Sequence, residues 1–246
     1  MAFMNGTKVM SANYMSRYNE GYEKGFRDGH VDGRKEENRE WFTAYQKGSD
    51  IVSDARSMFY GSRWTDETFK PVLNLIIQGK ASSMFNSCYI TDLAGILEQR
   101  GITLNTSGAT ALDSAFGYSS FTHLPIISCV SVTKLGDTFK SNRSLHTIDG
   151  LVLNNDGTTE FPNTFQNCGE LTTIGSIVGK IGKDVHFDYS PKLSHETLIV
   201  IMNALMDYSN DTSGDNHYLY IGETNYAKLS ETADLPIAWN KGWTVV

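Results

Sequence analysis

The sequence predicts an α/β solenoid with an α/β cap at its C-terminal end and a helical arm at its N-terminal end. Three observations carry that expectation. The stretch LGDTFKSNRSLHTI (135–148) returns 26 residues later as FPNTFQNCGELTTI (161–174), with apolar residues at the same four places. These pairs are Leu135 and Phe161, Phe139 and Phe165, Leu145 and Leu171, Ile148 and Ile174. Two shorter copies precede it: ASSMFNSCYITDL (81–93), with Phe85, Ile90 and Leu93, and LDSAFGYSSFTHL (112–124), with Leu112, Phe116, Phe121 and Leu124. Finally, the composition changes on either side of the repeats, towards charge and aromatics before them and towards helix and strand patterns after them.

The anchoring residues Phe85, Phe116, Phe139 and Phe165 are 31, 23 and 26 residues apart. Apolar landmarks at periods of about 20 to 30 residues indicate stacked coils, with insertions bulging from one face. One such unit is too small to bury its own apolar face and must stack on the next. Phe over Phe, Leu over Leu and Ile over Ile would then make internal columns. The small residue three positions after each Phe, such as Asn142 or Cys168, turns the chain and can satisfy backbone groups of the neighbouring coil.

Four zones follow in chain order. Residues 1–50 form a charged arm in which Gly21, Gly25, Gly29 and Gly33 keep a four-residue step, as do Tyr14, Tyr18, Tyr22 and Phe26. Residues four apart lie close together on a helix, so the arm would carry a smooth stripe beside an aromatic one. Each interior Gly costs a helix about 1 kcal/mol relative to Ala. That leaves two readings, a helix that packs closely on itself or on a partner, and a passive tether. Within residues 51–80 the stretch RSMFYGSRWTDETFKP (56–71) has aromatics at 59, 60, 64 and 69 and ends at Pro71, which suggests a turn-rich N-terminal cap. Residues 81–193 hold the repeats. Residues 194–246 make the C-terminal cap: Ser194 starts a helix with apolar residues at 198, 201, 202 and 205, HYLYIG alternates as a strand, and a last helix near Pro236 precedes a final strand.

The net charge of −7 is spread unevenly. Residues 1–50 hold eight Lys/Arg and eight Asp/Glu, so the remainder carries 13 against 20. That excess would repel phosphates, and no basic stripe is visible, which argues against nucleic acid as a partner. No apolar run approaches the roughly 18 residues of a membrane span, so membrane insertion is not expected. The opening MAFMNGTKVMSANYMSRYNE lacks the apolar core of a signal peptide, and synthesis in the cytoplasm is the expectation. Cys88, Cys129 and Cys168 are odd in number and sparse, so they form no disulfide framework; Cys88 and Cys168, each three residues after a repeat Phe, are expected as buried thiols.

The pattern L-x-x-x-F-x-x-C/N-x-x-L-x-x-I resembles the BspA-like class of leucine-rich repeats. The F-x-x-C-x-x-L-x-x-I core is met at 165–174 and approximately at 85–93, 116–124 and 139–148. The sequence departs from that class in lacking the I-P-x-x-V turn after the strand and in its uneven repeat lengths. WTDETFKP (64–71) and the closing NYAKL…NKGWTVV resemble segments that flank such repeats in proteins of phages and prophages of Gram-positive gut bacteria. The resemblance implies a non-enzymatic leucine-rich repeat binding protein, phage-encoded and associated with the virion tail. Its implied partner is a protein or carbohydrate on the host cell surface, and residues 1–50 would serve self-association or docking on the virion. A bacterial surface adhesin exported by a non-standard route is the competing reading, and an enzyme is a third class.

No catalytic constellation supports that third class. The six histidines show no metal-ligand spacing, and neither G-x-S-x-G nor a Walker A loop occurs. DYSNDTSGDNHY (207–218) has acids at calcium-loop positions, but Thr212 and Tyr218 stand where that loop needs Gly and Glu. No cofactor or metal is expected. If Leu and Ile at 90, 93, 121, 124, 145, 148, 171 and 174 were the inward positions (121 is Phe), the residues between them would be exposed. That stripe nominates Asp92, His123, His146, Thr147 and Thr173 as ligand-binding residues, continued by His186, Asp188, Tyr218 and Tyr220.

Overall fold

The computed structural model describes residues 51–246 apart from 70, 72 and 73, together with two short strands, β1 (Phe3–Met4) and β2 (Thr7–Lys8), which pair antiparallel. The glycine-periodic helix expected between residues 10 and 50 lies outside the described residues.

The repeat expresses itself most regularly in its turns. Two residues before and two after an anchoring Phe the backbone takes a positive φ: Ser83 and Ser87 around Phe85, Ser114 and Tyr118 around Phe116, Asp137 and Ser141 around Phe139, Asn163 and Asn167 around Phe165. Ser, Asp and Asn tolerate this left-handed region because their short polar side chains bond locally. Tyr118, at φ 57°, has no such help. The alternation points N–H groups toward the next turn. Ser114, Phe116 and Tyr118 donate to the carbonyls of Gly136, Thr138 and Lys140, at 2.8, 3.0 and 2.7 Å. Asp137, Phe139 and Ser141 donate in the same way to Pro162, Thr164 and Gln166.

Stacked turns stack the rings they carry. Phe85, Phe116, Phe139 and Phe165 form the expected buried column, with centroids 5.8, 5.8 and 5.5 Å apart. It continues to Phe59 at one end and Phe187 at the other, at 4.6 and 4.5 Å. Phe69 packs edge-on against Phe59 and Phe85, so the turn-rich segment before the repeats belongs to the same core. The residues three after Phe116, Phe139 and Phe165 bridge to the preceding turn. Ser119 Oγ donates to the Phe85 carbonyl at 2.7 Å, Asn142 Nδ2 to that of Phe116 at 2.8 Å and Cys168 Sγ to that of Phe139 at 3.1 Å.

The sheets do not follow this regularity, and they correct the predicted fold class. A solenoid would run one parallel sheet from coil to coil. Instead the described strands from residue 51 onward fall into three separate small parallel sheets. β3 (Ile51–Asp54), β4 (Leu75–Lys80) and β5 (Leu104–Ala111) form the first. β6 (His123–Ser128), β7 (Thr147–Val152), β8 (Thr173–Ile174) and β9 (Ile177–Val178) form the second. β10 (Val185–His186), β11 (His217–Tyr220) and β12 (Trp243–Val245) form the third. The fold is therefore mixed α/β with small separate sheets, not an α/β solenoid. Unequal spacing of the copies is the physical reason. After the Phe85 turn, where the next strand is due, the chain enters helix α1 (Leu93–Gln99), capped by the Asp92 carboxylate accepting from the Gly95 N–H at 2.8 Å. Pairing of β4 with β5 slips between Ile76 and Gln78 and again between Gly79 and Lys80. These shifts are accommodated within the first sheet.

Helix α2 (His195–Ala204) begins where expected, with Ser194 Oγ accepting from the Thr197 N–H at 3.1 Å. Its last carbonyls would be left without partners. Lys241 reaches back to them, donating to Met202, Asn203 and Leu205 at 2.8, 2.8 and 3.2 Å. Helix α3 (Gly222–Thr232) stops at Ala233, whose φ is 60°, and α4 (Pro236–Trp239) carries its proline in the first turn, where a missing N–H costs nothing.

Candidate ligand-binding surfaces

The second sheet brings four of the nominated residues into one line. Asp92 bridges His123, His123 pairs with Thr147, and Thr147 pairs with Thr173, all parallel and in register. Threonines on the adjacent turn reinforce the line: Thr122 Oγ1 donates to the Thr91 carbonyl at 3.1 Å and Thr172 Oγ1 to that of His146 at 2.9 Å. Thr91 is itself held by Asp66, whose carboxylate accepts from both its N–H and its hydroxyl.

In the middle of the line the His123 imidazole is held at both nitrogens. Nδ1 lies 3.1 Å from Asp92 Oδ1 and Nε2 lies 2.7 Å from Asp149 Oδ1. Asp149 was not among the nominated residues. Its signal was available in the strand period, since it lies two residues beyond Thr147 and so on the same face. His146 stands beside the line. Its Nδ1 meets the Ser144 carbonyl at 2.7 Å, and its Nε2 is 3.9 Å from Glu170. Glu170 is engaged instead by Lys192 at 2.7 Å, and that ammonium holds its carboxyl below the usual range.

The remaining nominees gather on the third sheet. His186 pairs with Tyr220 across β10 and β11, and the two rings stack with centroids 4.1 Å apart and planes 3° from parallel. Tyr218, two residues along the same strand face, extends the stack at 5.6 Å. Asp188 lies 3.3 Å from His186 Nδ1. Asp184, which was not nominated, accepts from the Tyr218 N–H at 2.8 Å. Partial desolvation, then the charges of Asp184 and Asp188 with Tyr218 between them in weight, push the Tyr220 hydroxyl above its ordinary range. The nine nominated residues thus divide between two sheets and do not form one continuous stripe.

A cleft of about 530 Å³ opens beside His186, between the Glu160–Pro162 segment, the start of β10 and the Asp215–His217 segment. Glu160, Asp184, Asp215 and Lys183 are among the residues that line it.

Cys88, Cys129 and Cys168 are buried and unpaired, and burial pushes each thiol up to about 12. Such thiols are poor nucleophiles and poor ligands. Among the described residues no three His, Cys, Asp or Glu side chains are placed to hold a metal ion, and no helix is long and apolar enough to cross a membrane. No family model, curated protein or solved structure matches the chain.

Proposed function

We propose that the chain is a non-enzymatic binding protein that recognises a carbohydrate or protein on a cell surface, in the phage setting its terminal segments resemble. The observation that supports this most is the ring stack of His186, Tyr220 and Tyr218, set on paired strands and flanked by carboxylates. Stacking on one another restrains these rings, so less side-chain entropy is lost when a ligand docks. Aromatic faces with adjacent hydrogen-bonding groups suit both sugar rings and protein side chains. The in-register line from Asp92 to Thr173 supplies a second polar surface of the same kind.

The test is a titration of the purified full chain with cell-wall polysaccharide and with surface-protein fractions from Gram-positive cells. One of the two should bind saturably, and replacing Tyr218 and Tyr220 with Ala should weaken that binding. Saturable binding to neither fraction rejects the proposal.

A further inference from the structure

We infer that His123 is a proton-operated latch on the strand side. With a proton on each ring nitrogen it ties Asp92, at the start of α1, to Asp149 on β7, and loss of one proton frees the Asp92 carboxylate. The inference deepens the second polar surface of the proposed function, because the freed carboxylate lies at the head of that line.

The geometry of the ring carries it. An uncharged imidazole has one N–H and one lone pair, whereas an imidazolium has two N–H groups. Nε2 of His123 is 2.7 Å from Asp149 Oδ1, and Nδ1 is 3.1 Å from Asp92 Oδ1. Asp92 Oδ1 also accepts from the Gly95 N–H, so it serves as an acceptor. Whichever nitrogen keeps its proton in the uncharged ring, the other turns a lone pair towards a carboxylate oxygen. Two acceptors that close repel. A second proton turns the repulsion into a charge-assisted contact. The shorter contact, to Asp149, is the one that outlasts the proton. Asp92 keeps its bond from Gly95 and its backbone bridge to His123, so the rearrangement is confined to side chains.

The surroundings leave this ring as the group that responds. β6 packs against α1, β5 and β7. β5 holds no titratable residue, Asp149 is the one titratable residue of β7, and the acid within α1, Glu98, lies six residues beyond Asp92. Asp66 is turned to Thr91. His146, whose backbone N–H donates to the Thr122 carbonyl, is turned to Ser144 and Glu170. Of these groups only the imidazoles, by their ordinary value of about 6.5, change charge between pH 5 and 8. The His123 side chain is 35 % exposed, so water can deliver and remove the proton. The latch therefore adds stability on the acid side of that range, and the contribution is lost as pH rises through it.

The experiment is thermal melting of the full chain at pH 5.5 and pH 8.5, comparing the parent with His123→Gln, Asp149→Asn and the double variant. The other histidines are common to all four proteins, so the differences isolate residue 123. The gap by which the parent melts above His123→Gln should be wider at pH 5.5 than at pH 8.5 by about 2 °C or more. In the Asp149→Asn background, where the side chain keeps its shape and loses its charge, that widening should fall by at least about half. A gap that does not widen towards pH 5.5 overturns the latch. So does a widening that survives Asp149→Asn in full. The melts use no ligand, so either failure leaves the binding reading standing.

Discussion

The turn side and the strand side of this molecule are built from the same repeats and behave differently. On the turn side, left-handed residues recur two places either side of each Phe, rings stack at nearly constant spacing and a buried small residue ties each turn to its neighbour. On the strand side the pairing breaks into separate sheets, helix α1 interrupts, and the exposed faces carry His, Asp, Thr and Tyr. Buried stacking tolerates little variation, because each ring fills the space the next one leaves. A solvated strand face tolerates much more, so chemical variety can collect there. The turn side should therefore govern stability, and the strand side recognition.

The sharpest way to break this contrast is to cut the column. Phe139→Ala or Phe165→Ala should cost about 3 to 5 kcal/mol in urea unfolding, the usual range for a buried Phe. A loss below about 1 kcal/mol would show that the neighbouring rings do not depend on one another.

The ties between turns come next. Asn142 is fully buried, donates to the carbonyls of Phe116 and Phe139 and accepts from the Ser119 N–H. Asn142→Ala leaves those groups enclosed without partners, which should cost about 2 to 3 kcal/mol. A near-neutral result would mean that water replaces the side chain.

A smaller effect compares a glycine at the end of β9 with one in a turn. Gly179 has φ 96°, and a Cβ there would sit 2.3 Å from the Leu153 carbonyl oxygen, whereas a Cβ on Gly169 would meet nothing within 4 Å. Gly179→Ala should cost more than about 1 kcal/mol, and Gly169→Ala only a few tenths either way. Similar values for the two would remove the close approach of the chain at residue 179.

The sequence showed the turn side well. The positions of Phe85, Phe116, Phe139 and Phe165, and of the small residues three places on, were legible because burial fixes the local pattern around each Phe, although the copies themselves are unequally spaced. Phe59 and Phe187 were missed, although ARSMFYGS (55–62) matches ASSMFNSC (81–88) closely and could have revealed Phe59. On the strand side, Asp92, His123, Thr147 and Thr173 were found by counting between apolar landmarks, and they do share a line. The division into separate sheets was not legible. It depends on where α1 inserts, a tertiary outcome that no single repeat encodes. Asp149 and Asp184 were missed because each lies a strand step outside the landmark pairs.

The central claim is that the strand side binds and the turn side holds the molecule together. Its most direct test is the cell-wall polysaccharide titration on the Tyr218→Ala/Tyr220→Ala variant, with thermal melting read on the same samples. The account predicts at least about a tenfold loss of affinity, with melting within about 4 °C of the parent. Undiminished binding, or a collapse of melting that accompanies the loss, would contradict it.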